Sequence, residues 1–126
     1  MNVVDSSGWL EYLAGGPNAT FFAPAVEATA DLLVPTLSIF EVFKRVLGQR
    51  DESLALQAIA LMYQGRIVDL SAPLAIDAAR LSRREALPMA DSIMLATARA
   101  FGATLWTQDA DFKSIPDVRY RSARAP

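Results

Sequence analysis

The chain has 126 residues, 52% of them apolar and 21% charged, which is enough for one domain with a proper core and argues against disorder. Its 12 Lys and Arg against 14 Asp and Glu give a net charge of −2, which argues against a protein held on nucleic acid by bulk positive charge. Cys and His are both absent, so disulfide frameworks, zinc ribbons, thiol nucleophiles, Ser-His-Asp triads and imidazole acid–base chemistry are excluded. Any catalysis must come from carboxylates, hydroxyls, Lys, Arg, Tyr or a metal held by oxygen.

In chain order, Asn2–Val4 is a short apolar run that predicts a buried strand ending at Asp5. Ser6 or Ser7 can cap a helix carrying Trp9, Leu10 and Leu13, which stops at Gly15-Gly16-Pro17. A second helix is expected over Ala19–Ala28, with Pro24 as an early kink or a restart, and a second strand over Leu32–Val34. Thr36 or Ser38 can cap a helix to Leu47, ended by Gly48; Ser53–Tyr63 is a further helix. Arg66–Leu70 predicts a third strand, Ser71-Ala72-Pro73 opens a helix to Ala86, and Pro88 opens another to Phe101. Ala103–Trp106 is a fourth strand, Ala110–Lys113 a helical turn and Val118–Tyr120 a fifth strand. Strands alternating with helices predict an α/β fold with a mostly parallel sheet, joined by right-handed crossovers. A single domain over residues 1–126 is expected. The N-terminus has no basic signal region and no apolar run reaches about 18 residues, so a cytoplasmic chain without a membrane span is expected.

In such folds ligands bind beyond the carboxyl ends of the strands, where strand order reverses. Two predicted strands run into acids there, at Asp5 and at Thr107-Gln108-Asp109. A third acid, Asp91, falls on the helix side shared by Met94, Leu95 and Ala98, where an unpaired carboxylate is costly. Carboxylates without nitrogen or sulfur ligands select Mg²⁺ or Mn²⁺. Taken singly, Asp5 also suits a helix cap, Asp91 a first-turn partner of the helix dipole, and Asp109 and Asp111 a turn.

Asp5-Ser6-Ser7, Glu41 within Ser38-Ile39-Phe40-Glu41-Val42, Ala90-Asp91 and Thr107-Gln108-Asp109-Ala110-Asp111-Phe112 together resemble the PIN-domain ribonucleases, and among them the VapC toxins of bacterial toxin–antitoxin pairs. The resemblance runs from Asn2 to about Tyr120. It implies a three-layer α/β/α sandwich of about five strands in the order 3-2-1-4-5. It implies a site in which Asp5, Glu41, Asp91 and Asp109 are catalytic and hold Mg²⁺ (or Mn²⁺), with Asp111 an additional metal position. Ser7 and Thr107 match small polar positions that orient these carboxylates. On a helical wheel Glu41 is on the polar side of its helix, away from Ile39, Phe40, Val42, Phe43, Val46 and Leu47, and one turn before Arg45. From the residues alone it reads as a solvated Glu–Arg pair.

The implied activity is metal-dependent hydrolysis of RNA phosphodiester bonds, in an exposed single-stranded loop. Leaving out the four site acids leaves 12 basic against 10 acidic residues, so the remainder of the chain is slightly basic. Three basic groups can contact phosphate: Lys44/Arg45/Arg50, Arg80/Arg83/Arg84 and Arg119/Arg121/Arg124. Each also suits a solvated surface. Trp106, inside the fourth strand, reads as packing. The resemblance further implies a homodimer, capture by a VapB-like antitoxin and assembly into a larger toxin–antitoxin complex. Two other readings are a Mg²⁺-dependent phosphatase-like enzyme of the same α/β type and a non-catalytic PIN-fold module that binds RNA or a partner protein.

Overall fold

The computed structural model describes residues Met1–Arg124; Ala125 and Pro126, the last residues of the expected domain, lie outside the described residues. The elements run β1 (Asn2–Val4), α1 (Ser6–Ala14), α2 (Ala19–Glu27), β2 (Leu32–Pro35), α3 (Thr36–Gln49), α4 (Glu52–Met62), β3 (Arg66–Val68), α5 (Ala72–Glu85), α6 (Met89–Ala100), β4 (Thr104–Thr107) and β5 (Val118–Tyr120). Single 3₁₀ turns occupy Thr29–Asp31 and Ala110–Phe112. The strands form one sheet in the order β3-β2-β1-β4-β5, with every neighbouring pair parallel. Among the described residues no helix is long and apolar enough to cross a membrane.

Alternation along the strands builds two cores, one on each face of the sheet. Val3, Leu33 and Leu105 face α5 and α6 and pack with Leu74, Leu81, Met94 and Phe112. Val4, Val34 and Trp106 face the opposite way, onto Trp9, Phe22, Val42 and Met62 of α1 to α4. The result is three layers, helix–sheet–helix. In α1, Gly8 is pressed onto this second core: a Cβ there would stand 2.6 Å from a Phe22 ring carbon and 2.7 Å from a Val4 methyl. That close approach brings the first turn of α1 down onto the end of β1.

Several local expectations are corrected. Asp5, not Ser6 or Ser7, caps α1, accepting the Gly8 N–H. Neither Thr36 nor Ser38 caps α3, which starts directly after Pro35; Ser38 is buried, and its hydroxyl points to the Met94 sulfur at 3.3 Å. Gly48 does not stop α3, which runs on to Gln49, and β3 ends at Val68 rather than Leu70. The apolar side assigned to α3 is divided: Val42 is fully buried, whereas Phe40 and Leu47 are 61% and 44% exposed. The remaining boundaries agree to within a residue or two, the usual fraying of element ends.

Candidate active site

Order reversal puts β1 and β4 side by side in the middle of the sheet, although about a hundred residues separate them. The main chain joins them directly, with the Asp5 N–H donating to the Trp106 carbonyl at 3.1 Å. Both strands point their carboxyl ends the same way, so Asp5 and the Thr107–Asp109 segment emerge together. The first turn of α6 adds Asp91. One carboxylate oxygen from each of Asp5, Asp91 and Asp109 lies within 4.8 Å of the other two. Asp5 is buried and the other two are half-buried, at one end of an open cleft of about 1240 Å³ between α1, α3 and α4.

Asp5 is held rigidly. Its Oδ1 accepts the Ser7 hydroxyl at 2.7 Å and the Gly8 N–H at 2.9 Å, and its Oδ2 accepts the Thr107 hydroxyl at 2.5 Å. Thr107 Oγ1 in turn accepts the Asp109 N–H at 2.9 Å, and Ser7 Oγ accepts the Gln108 N–H at 3.4 Å. One small network thus fixes the first acid and the loop that carries the third. Burial pushes the Asp5 carboxyl up to about 6; the bonds from Thr107, Ser7 and Gly8 pull it down, and the Asp109 charge pushes up again.

Asp91 has none of those donors. Burial raises it first, then the charge of Asp109, then hydrogen bonding to Asp111, the Asp5 charge and hydrogen bonding to Asp109, and its carboxyl stands at about 8. Asp5 and Asp91, this close to a further acid and without a counter-charge, hold protons that ordinary acids lose. An all-oxygen donor set that retains protons for lack of positive charge suits a hard divalent cation, Mg²⁺ or Mn²⁺.

Of the seven residues singled out in the sequence, Asp5, Asp91 and Asp109 come together, and Ser7 and Thr107 sit where they orient Asp5. Glu41 and Asp111 stand outside the close group. Glu41 lines the cleft on α3 and accepts the Ser6 hydroxyl at 2.6 Å; the Glu41–Arg45 ion pair expected from the wheel does not form. Asp111 is exposed, and its N–H donates to Asp109 Oδ1 at 2.9 Å. Sequence reasoning missed three participants. Ser6 holds Glu41, Gln108 lines the cleft, and Asn18, fully buried, donates to Gln108 Oε1 at 3.1 Å and to the Ser122 carbonyl at 2.9 Å. Ser6 and Gln108 lie within the quoted motifs, which was the one available signal, although neither was given this role; nothing local marked Asn18.

The PIN-domain family model matches residues 3–118. The chain belongs to the PIN-domain family. No curated protein matches it in sequence. Among solved structures this PIN domain is similar to a toxin–antitoxin complex from Klebsiella pneumoniae, with 23% identity, TM-score 0.78, and 94% of this chain and 95% of that one covered. It is also similar to Mycobacterium tuberculosis VapC20, a sarcin–ricin-loop-cleaving toxin, with 17% identity, TM-score 0.78 and coverage of 94% and 98%. VapBC2 from Rickettsia felis, bound to a DNA fragment from its promoter, aligns at 16% identity, TM-score 0.71 and coverage of 96% and 97%. These likenesses show that the PIN fold is kept across nearly the whole length.

Proposed function

We propose that this PIN domain is a divalent-metal-dependent endoribonuclease, the toxin of a type II toxin–antitoxin pair. The observation that carries the reading is the convergence of Asp5, Asp91 and Asp109 at the end of an open cleft. At about 1240 Å³ the cleft exceeds the roughly 300–1,000 Å³ usual for small-molecule pockets, and its rim carries Lys44, Arg45 and Arg50, as a polyanionic polymer requires. Asp5, Asp91 and Asp109 would hold Mg²⁺ or Mn²⁺, with Glu41 and Asp111 as outer acids. Bound there, the cation offsets the carboxylate charge, makes a water more acidic and stabilises charge building on a phosphodiester.

The chain's own residues do the rest. Ser7, Thr107 and the Gly8 N–H hold the Asp5 carboxylate in one orientation. Asp91, protonated at neutral pH without a cation, gives up its proton on loading. Lys44, Arg45 and Arg50 attract the RNA backbone to the cleft, so binding is salt-sensitive. RNA as substrate is supported by the likeness to VapC20, and a small VapB-like antitoxin by the likeness to the toxin–antitoxin complexes. A homodimer in the cytoplasm, within a larger toxin–antitoxin assembly, completes the reading.

The test is RNA cleavage by the purified chain, freed of any antitoxin, in Mg²⁺ or Mn²⁺ and in EDTA, beside Asp5→Asn and Asp91→Asn. Cleavage is expected to need the cation and to vanish in both variants. Cleavage that survives EDTA, or both substitutions, overturns the mechanism.

A further inference from the structure

The three basic groups of the sequence have different fates. On α5, Arg80 pairs with Asp77 at 3.0 Å and Arg84 with Glu85 at 3.3 Å, so their charge is answered locally. Lys44, Arg45 and Arg50 line the cleft already described. Arg119 and Arg121 do neither. Both are exposed, and no ion pair involves either of them among the described residues. Each lies over an aromatic ring instead: Arg119 Cζ is 4.8 Å from the Trp106 ring centre and Arg121 Cζ is 4.7 Å from that of Phe21. The two rings stand 5.3 Å apart at 54°, so Arg119, Trp106, Phe21 and Arg121 form one continuous ladder.

The fold builds this ladder deliberately. Register pairs Trp106 on β4 with Arg119 on β5, which puts both side chains on the same face, and Arg121 follows two residues later. Phe21 reaches over from α2, braced edge-on by Phe22. The Trp106 indole is fixed by its N–H to Asn2 Oδ1 at 2.9 Å. The ladder is also tied to the acid loop. The Arg121 N–H donates to the Thr107 carbonyl at 3.1 Å, and buried Asn18 bonds both Ser122, the next residue, and Gln108, which precedes Asp109. The strand order puts β5 one place from β4 and two from β1, about 10 Å at the usual interstrand spacing. Seen along the carboxyl edge of the sheet, the acids therefore lie between α3, which follows β2, and the end of β5.

A guanidinium stacked on a ring keeps its N–H edge free, has already lost much of its rotamer freedom, and presents the planar fork that suits phosphate. We propose that Arg119 and Arg121 form a phosphate-binding rail that grips the RNA backbone beside the scissile position, on the β5 side of the acids and opposite Lys44, Arg45 and Arg50. The proposal rests on the endoribonuclease reading. An acidic protein segment is the competing occupant; RNA is favoured because two unpaired planar cations are locked to the loop that carries a site acid.

Binding of a fluorescein-labelled, mixed-sequence single-stranded RNA, followed by anisotropy in EDTA across a salt series, tests it without relying on turnover. Arg119→Gln with Arg121→Gln should weaken binding roughly 5–20-fold and lower the slope of log affinity against log salt by about 1.4. Hydrolysis of bis(p-nitrophenyl) phosphate in Mn²⁺, which reaches only the acid site, should be unchanged. Arg119→Lys with Arg121→Lys should restore the salt slope but only part of the affinity. Unchanged RNA binding in the Gln variant overturns the rail, as does full recovery by Lys, which would reduce the stacked geometry to bulk charge. Loss of binding to a Glu-rich peptide with RNA binding intact assigns the ladder to a protein partner and overturns it too. A wild-type chain that binds and cleaves RNA while the variants match it fails the rail alone; one that neither binds nor cleaves RNA fails the endoribonuclease reading, and the rail with it.

Discussion

Asp5 and Asp91 bring the same functional group to the same few ångströms, and the fold treats them in opposite ways. Asp5 is buried yet surrounded by the Ser7 and Thr107 hydroxyls and the Gly8 N–H, so its carboxyl rises only to about 6. Asp91 is half-exposed yet unassisted, faces Asp5, Asp109 and Asp111, and rises to about 8. Exposure alone would rank them the other way. Donors compensate for burial at Asp5, whereas nothing in the chain offsets the charge at Asp91. In the proposed metal-dependent reading, one side of the site is organised before a cation loads, and the other would be completed by it.

That contrast can be broken most strongly at the acids themselves. Asp5→Asn and Asp91→Asn should each cut RNA cleavage more than about 100-fold, measured as single-turnover rates at saturating Mn²⁺. Asn caps helices as well as Asp does, so Asp5→Asn should still fold with α1 intact by circular dichroism. The same loss with a melted helix would mean that Asp5 matters as a cap. Next comes Thr107→Val, which removes a donor from Asp5 while keeping the side-chain shape. It should weaken Mn²⁺ affinity by roughly 10–100-fold in calorimetry. Ser92, buried next to Asp91 but bonded to the Met89 carbonyl, should when changed to Ala leave that affinity within about twofold. Glu41→Gln should cost about tenfold in cleavage, less than either Asp variant, since Glu41 stands outside the close group and is tied to Ser6.

The smallest effect is the most diagnostic of the two environments. A carboxyl whose folded pKa is raised binds protons more tightly folded than unfolded. In EDTA, stability should therefore fall as pH rises from about 4, through about 6 for Asp5, to about 8 for Asp91, and level off above that. Asp91→Asn should flatten the upper part, from about 6 to 8, and raise the metal-free Tm at pH 8 by about 2–5 °C. Mn²⁺ should raise Tm more at pH 8 than at pH 6, because fewer protons must leave. A metal-free Tm that is flat over that range would remove the distinction between the two acids.

Much of this was legible in the sequence, for particular reasons. Runs such as Leu32–Val34 and Thr104–Trp106 are bounded by turn signals, and strands that end in acids identify the working edge of a parallel sheet. Asp91 was legible because helical spacing places it above Met94, Leu95 and Ala98, all of which are buried. Glu41 was not, since its wheel position reads as solvent, and only family resemblance singled it out. The cap of α1 reads two ways in the sequence, as Ser6 or Ser7 and, taken singly, as Asp5; Asp5 does two jobs, capping α1 and carrying a site acid. The Asn18 bridge and the Phe21 contacts to Trp106 and Arg121 join segments 85 to 104 residues apart, and the Trp106–Arg119 rung joins two neighbouring strands 13 residues apart; all follow from register and helix placement, which no local pattern encodes.

The pairing of β1 with β4 also has a consequence in time. Asp5 is made at the start of synthesis, but its Thr107 partner, the Trp106 carbonyl that takes its N–H and the Asp109 beside it come about a hundred residues later. Until β4 pairs with β1, a growing chain has one acid without its main orienting hydroxyl, and until the loop after β4 follows it has no third acid at all. Long-range parallel pairing of this kind is slow to close. The three acids of a growing chain thus come together only after β4 and the loop that follows it have left the exit tunnel.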